Sequence, residues 1–217
     1  MTTFVPEAVP AILAGSREEA LAKWAAVAEA PLVQVDCLDG SFVPNHSFHE
    51  APSWPTAGPA IELHLMCSQP LRVMETWQAH PRLERIVWHV EAPADHHRLI
   101  AWCRQRGFAC GLALNPETPL VTVARYAAAI DLLLLLSVHP GWSGQPFLPT
   151  TFAKLKDAHA RWPELPIGLD GGLTEALLPE LASLGASVFY LSSEVFGAER
   201  PADALHRLQK IAHDGHA

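Results

Sequence analysis

Basic charge is scarce in this chain: 15 Lys and Arg stand against 23 Asp and Glu, a formal net charge of −8. A surface that tracks nucleic-acid phosphates needs clustered Lys and Arg, and with no such cluster here nucleic acid is not an expected partner. Long apolar runs are also missing. The longest, Ala127 to Val138, is broken by Asp131 and falls short of the ~20 residues that cross a bilayer, so no membrane contact is expected. The opening Met-Thr-Thr-Phe-Val-Pro-Glu has neither the basic head nor the apolar stretch of a secretory signal, which makes a cytoplasmic location the expectation. Cysteine is sparse. Cys37, Cys67, Cys103 and Cys110 show no C-x-x-C spacing and have apolar neighbours, a pattern of reduced thiols and not of a disulfide framework or zinc ribbon. Finally, no Gly/Ser/Pro-rich tract divides the chain and no low-complexity segment interrupts it, so residues 1–217 are expected to form one domain.

What is present is a rhythm. Short apolar runs alternate with stretches of helical period: Ala8 to Leu13, helical Arg17 to Ala30, Leu32 to Asp36, Ile61 to Met66, helical Leu71 to Ala79 and Arg85 to Val90. Helical Ala94 to Arg106 follows, with Gly107 placed as its C-cap. Phe108 to Leu114 reads as a strand, Leu120 to Ala128 as a helix, and Leu132 to Val138 as a strand buried on both faces. Thr151 to Arg161, Pro166 to Leu169, Thr174 to Leu184, Ser187 to Leu191 and Ala202 to Ile211 complete the alternation. Eight strands, each followed by a helix or a long loop, predict an α/β fold, a single (β/α)₈ TIM barrel.

In such a barrel, functional groups come from the C-terminal ends of the strands. Polar residues gather there: Asp36, His64, His89, Glu91, Asn115, Ser137, His139, Asp170, Ser192 and Ser193 all stand at or just after expected strand ends. Any one of them alone is a turn former or a rim residue; together they indicate a site. Glycine adds a second signal. Gly141-Trp142-Ser143-Gly144 and Gly171-Gly172 follow the sixth and seventh strands, where backbone N–H groups can approach an anion closely. Ser192 and Ser193 can open a short helix toward the same anion. Asp39, before Gly40, is read as a turn residue, and His46, His49, His96 and His97 as loop or solvated residues.

The segment Val35-Asp36-Cys37-Leu38-Asp39-Gly40-Ser41-Phe42-Val43-Pro44-Asn45 resembles a signature of the ribulose-phosphate 3-epimerase family. Further matches follow in family order: His64-Leu65-Met66, His89-Val90-Glu91-Ala92, Leu114-Asn115-Pro116-Glu117-Thr118-Pro119, Val138-His139-Pro140-Gly141-Trp142-Ser143-Gly144-Gln145-Pro146-Phe147 and Asp170-Gly171-Gly172-Leu173. They span nearly the whole chain.

The resemblance implies a barrel of the ribulose-phosphate-binding type and an isomerase that interconverts D-ribulose 5-phosphate and D-xylulose 5-phosphate, or a closely related ketose phosphate. It implies Asp36 and Asp170 as the catalytic acid and base. It implies substrate contacts from His64, Gly141, Trp142, Ser143, Gly144, Gly171, Gly172, Ser192 and Ser193, and a divalent metal (zinc, iron or manganese) at Gln34, Asp36, His64 and Asp170. Family members often form homo-oligomers. Inversion at C3 needs one carboxyl group as base and an opposed one as acid at the same pH. The chain departs from the family at Gln34, which takes the place of a His, at Ala11 in place of a Ser, and at Leu38 and Leu136 in place of Met. An amide oxygen is a weaker donor than imidazole for zinc-like ions, so weakened metal binding is expected. An enzyme for another phosphorylated ketose and a non-catalytic phosphosugar-binding relative are the alternative readings.

Overall fold

The computed structural model describes residues 4–215; the outermost residues of the expected 1–217 domain lie outside them. Eight parallel strands close into a barrel in chain order: β1 (Glu7–Ile12), β2 (Leu32–Leu38), β3 (Ala60–Met66), β4 (Leu83–His89), β5 (Ala109–Leu114), β6 (Leu132–Leu136), β7 (Ile167–Asp170) and β8 (Val188–Leu191), with β8 pairing back to β1. The helices are α1 (Arg17–Ala26), α2 (Pro70–Trp77), α3 (His96–Arg106), α4 (Thr150–Arg161), α5 (Leu178–Ser183), α6 (Ser193–Phe196) and α7 (Pro201–Asp214). This is the expected (β/α)₈ barrel.

Local chemistry sets the boundaries. The Ser16 side chain caps α1 by accepting from the Glu19 N–H at 3.2 Å. Asp95 caps α3 in the same way, and Gly107 ends that helix at φ 78°, a left-handed conformation that costs glycine nothing. The helix expected over Leu120 to Ala128 does not form. Two short 3-10 turns, Leu120–Thr122 and Ala127–Ala129, replace it. The β-branched run Val121-Thr122-Val123 has poor helix propensity, and the Thr122 hydroxyl donates back to the Pro119 carbonyl at 2.7 Å instead of leaving the backbone to propagate. Similarly, the expected Arg17 to Ala30 helix stops at Ala26 and the Thr174 to Leu184 stretch divides into a 3-10 turn and α5, which opens with Pro179 in its first turn.

Strand alternation sorts side chains into two cores. One set, among them Val33, Val35, Ile61, Leu63, Leu133 and Leu135, packs outward against the helices. The other set faces the lumen: Val9, Ala11, Val87, Ala113, Leu132, Leu134, Leu136, Val188 and Tyr190. β2, β3 and β4 also send polar side chains to the lumen. Gln34, Asp36, Glu62, His64 and His89 are all buried, and they share the period of the lumen-facing set. His96, expected to be solvated, is buried. It accepts from Trp88 Nε1 at 3.1 Å, and burial holds its pKa down.

Candidate active site

One cleft at the C-terminal end of the barrel, open to solvent, collects the expected site residues. Asp36, His64, Gly141, Trp142, Ser143, Gly144, Asp170, Gly171, Gly172, Ser192 and Ser193 all line it. Gln34 does not; it is fully buried just beneath.

On one side the wall is made of buried side chains. The β2–β3 register sets Asp36 beside His64 and, one layer lower, Gln34 beside Glu62. His64 Nδ1 lies 3.1 Å from Asp36 Oδ1 and 3.3 Å from Asp170 Oδ2. Its other nitrogen, Nε2, is 3.0 Å from His89 Nε2, and His89 Nδ1 is 3.3 Å from Glu91 Oε2. This chain fixes the His89 tautomer and the orientation of His64. Burial tends to raise the Glu91 pKa, but hydrogen bonds from His89, Thr118 and the Asn115 backbone outweigh it and hold Glu91 down to about 2. An ionised Glu91 takes the His89 Nδ1 hydrogen, and burial keeps His89 from gaining a second one. His89 Nε2 is therefore an acceptor, His64 donates to it through Nε2, and His64 Nδ1 is turned to the two aspartates.

The carboxylates are not equivalent. Asp36 is buried and Asp170 partly open. Burial drives the Asp36 pKa up, a hydrogen bond from His64 opposes this, the nearby Asp170 charge reinforces it, and the net direction is upward. For His64 burial works downward, but the contacts with Asp170 and Asp36 dominate and raise its pKa to about 10.

Asp36, His64 and Asp170 each offer a donor atom, all within 4.8 Å of one another. One imidazole nitrogen and two carboxylate oxygens are a donor set suited to zinc, iron or manganese. Gln34 sits against the same carboxylates but turns its nitrogen to them: Nε2 donates to Asp36 Oδ1 at 3.2 Å and to Asp170 Oδ2 at 3.1 Å. Its Oε1 is buried without a partner. The set thus fits a cation with three ligands, and the unpartnered amide oxygen is a fourth donor close by.

The opposite wall is backbone. The loop after β6 is pinned by Gln145 Nε2, which donates to the His139 and Trp142 carbonyls at 2.6 and 2.9 Å. Asn45 Nδ2 donates to the Gly141 carbonyl at 2.6 Å, tying the loop after β2 to this wall. Ser137 donates to the Asp170 and Gly171 carbonyls at 2.9 and 2.6 Å and so sets the turn after β7. Gly172 has φ 64°, and a Cβ there would run into the Phe147 nitrogen and lie within 2.8 Å of the Gln145 carbonyl oxygen. Only glycine fits this close approach. Ser192 occupies the N-cap position of α6, which starts at Ser193 as the sequence suggested. Asp39 keeps the turn role expected of it, accepting from the Ser41 N–H at 2.9 Å. His139 is exposed and faces Glu117 at 3.4 Å, away from the aspartates.

The layer below was not expected from the sequence. Glu62, fully buried, accepts from Arg85 Nε and from the Tyr190 hydroxyl, the latter at 3.0 Å. Tyr190 crosses the lumen from β8 to reach it and lines the cleft floor. A signal existed: Glu62 stands two positions before His64, hence on the same strand face.

The model of the "Ribulose-phosphate 3 epimerase family" matches residues 8–196, a span that holds both walls of this cleft. The chain belongs to the ribulose-phosphate 3-epimerase family. Relatives include ribulose-phosphate 3-epimerase 2 of Cupriavidus necator, 34% identical over 84% of this chain and 82% of its own length, and the cytoplasmic isoform of Oryza sativa, 30% identical over 83% and 82%. The enzyme of Schizosaccharomyces pombe is 28% identical over 82% and 80%. Membership places the chain among isomerase-class enzymes. Among solved structures, KGPDC from Streptococcus mutans superposes with a TM-score of 0.71 at 13% identity, covering 96% of this chain and 97% of that one. The 3-hexulose-6-phosphate synthase from Salmonella typhimurium gives 0.69 at 14%, covering 97% and 100%. At these identities the likeness concerns the barrel alone. Among the described residues, no helix is long and apolar enough to cross a membrane.

Proposed function

We propose that this chain, a single barrel domain, interconverts D-ribulose 5-phosphate and D-xylulose 5-phosphate, or a closely related ketose phosphate, by proton transfer at C3 between Asp36 and Asp170. The observation that carries the reading is the pair of unequally buried carboxylates, both within reach of His64 Nδ1 and both open to one cleft whose far wall is glycine backbone. One carboxylate takes the C3 proton, and negative charge builds on the neighbouring ketone oxygen. The other, entering the step protonated, returns a proton to the opposite face and leaves as the base of the reverse reaction. In the cation-free protein burial shifts the Asp36 pKa upward, the direction that suits a carboxyl group to hold the waiting proton. A divalent cation held by Asp36, His64 and Asp170 supplies, when bound, positive charge for the ketone oxygen as that charge develops. His64 is aligned for this by the His89–Glu91 chain. The phosphate is assigned to Gly141, Trp142, Ser143, Gly144, Gly171, Gly172, Ser192 and Ser193, whose backbone can meet an anion at close range. A location in the cytoplasm is consistent with the Oryza sativa cytoplasmic isoform.

The test is turnover of a panel of ketose phosphates in heavy water with added zinc, manganese or iron. Interconversion of the two pentulose phosphates with deuterium entering at C3 is the expected result. Tight phosphosugar binding with neither turnover nor exchange would replace it with the binding-protein reading, which the Gln34 amide seated on both carboxylates favours.

A further inference from the structure

Among the described residues, four buried side-chain polar atoms have no hydrogen-bond partner, and two of them, Gln34 Oε1 and Glu62 Oε1, belong to residues paired across β2 and β3. Paired positions on neighbouring strands lie ~4.8 Å apart. Both side chains are fully buried and point to the lumen, one layer beneath Asp36 and His64. Glu62 is held from its other side, with Oε2 taking the Arg85 and Tyr190 hydrogen bonds, so Oε1 alone lacks a donor. Two buried acceptors on paired residues are costly, because each has given up water without gaining a protein donor.

A half-turn of the Gln34 amide about its last torsion exchanges the positions of its oxygen and nitrogen, and the strand pairing sets Glu62 as the neighbouring acceptor. The half-turn would give the N–H₂ group to Glu62 Oε1 and the oxygen to the space that Asp36, His64 and Asp170 share. Such a turn moves no backbone and changes no volume. Without a cation it is disfavoured, because it sets an amide oxygen against two carboxylates that now accept its hydrogens at 3.2 and 3.1 Å. With a cation among those carboxylates the same oxygen becomes a donor to positive charge. We propose that the Gln34 amide is a two-position element: nitrogen toward the aspartates in the cation-free protein, oxygen toward a bound divalent cation, with Glu62 as the acceptor that receives the freed N–H₂. Glu62 is thereby a positioning residue that makes a neutral amide serve as a ligand. This rests on the cation site of the proposed function and not on its epimerase activity.

The experiment uses full-length protein labelled with ¹⁵N-glutamine, chelator-treated and then titrated with zinc. The Gln34 N–H₂ pair is assigned by its absence in Gln34→Met. In the chelated protein its protons are expected to show cross-relaxation to the Asp36 and Asp170 β protons, and at zinc saturation to the Glu62 γ and Tyr190 ring protons instead. An unchanged pattern with zinc bound, or no zinc binding at all, overturns the proposal. Zinc affinity from dye competition gives a second readout. Glu62→Gln, which offers Gln34 a donor where it needs an acceptor, is expected to weaken zinc ~10- to 100-fold and to cost nothing further in the Gln34→Met background; additive losses overturn the coupling. If Glu62→Gln fails to fold because Arg85 loses its partner, the wild-type spectra still decide. Neither readout involves turnover, so failure of the epimerase reading would be seen separately.

Discussion

The two walls of the cleft are built on opposite principles. Toward β2, β3 and β4 it is Asp36 and His64, backed by the buried Gln34 and His89, each fixed by a neighbour's hydrogen bond. Toward the loops after β6, β7 and β8 it is made of glycine backbone and short hydroxyl side chains, folded by contacts such as Asn45 to the Gly141 carbonyl. In the proposed function the first wall controls where protons sit and the second where an anion comes close. Variants should therefore separate: damage on one side should alter chemistry with anion binding intact, and damage on the other should alter binding and stability first.

The sharpest division is expected at the carboxylates. If the proposed mechanism holds, Asp36→Asn or Asp170→Asn removes one proton-transfer partner and lowers turnover ~10²- to 10⁴-fold, while inorganic phosphate still binds with wild-type affinity by calorimetry. A variant that lost phosphate affinity along with turnover would show the two walls to be one unit.

The next largest effect should come from the glycine wall. Gly172→Ala would place a Cβ against the Phe147 nitrogen and the Gln145 carbonyl at a φ of 64°. Strain and overlap together should cost roughly 3 kcal/mol, read as a lower urea midpoint at unchanged slope, and phosphate affinity should fall with it. Wild-type stability in this variant would mean that the loop has room to move.

Glu91 tests the first wall at a distance from the reacting atoms. Glu91→Gln weakens the acceptor that sets the His89 tautomer and through it the orientation of His64, and outer partners of this kind typically cost ~10- to 100-fold in metal affinity or activity. It also carries a pH signature. Because the folded-state pKa of Glu91 is held down to about 2 from an ordinary 4.5, its stabilising contribution is fully present above 4.5 and is lost as pH falls from there toward 2. Wild-type unfolding free energy should drop more steeply through that window than that of Glu91→Gln. Parallel curves would remove Glu91 from the chain.

Much of this was legible in the sequence, and unevenly so. The barrel follows from strand runs such as Leu132 to Leu136, which have no polar break, and the cleft from polar residues at strand ends. The apolar spacing of Leu120 to Ala128 suggests a helix, but a β-branched run inside it cannot hold one. The tautomer chain was hidden for a different reason. His89 and Glu91 were visible as rim residues, but the 3.0 Å approach of two imidazoles on neighbouring strands depends on register. The Glu62, Arg85 and Tyr190 layer joins residues on β3, β4 and β8, brought together only when the barrel closes.

The smallest effect is expected at Gly144, and it refines the contrast inside the glycine wall itself. Gly144 also has a left-handed φ, 79°, but a Cβ there would meet nothing within 4 Å. Gly144→Ala should therefore incur the left-handed penalty alone, about 1 kcal/mol, partly offset because alanine has fewer unfolded conformations to lose. For a chain of this length that corresponds to a fall in Tm of about 2–4 °C or less. Its phosphate affinity should change less than that of Gly172→Ala, since the backbone can keep its path without displacing a neighbour. The comparison is a pair of thermal scans and a pair of phosphate titrations. If Gly144→Ala proved as damaging as Gly172→Ala, left-handed backbone would be the shared requirement of this wall, and the close approach to Phe147 and Gln145 would not be what sets Gly172 apart.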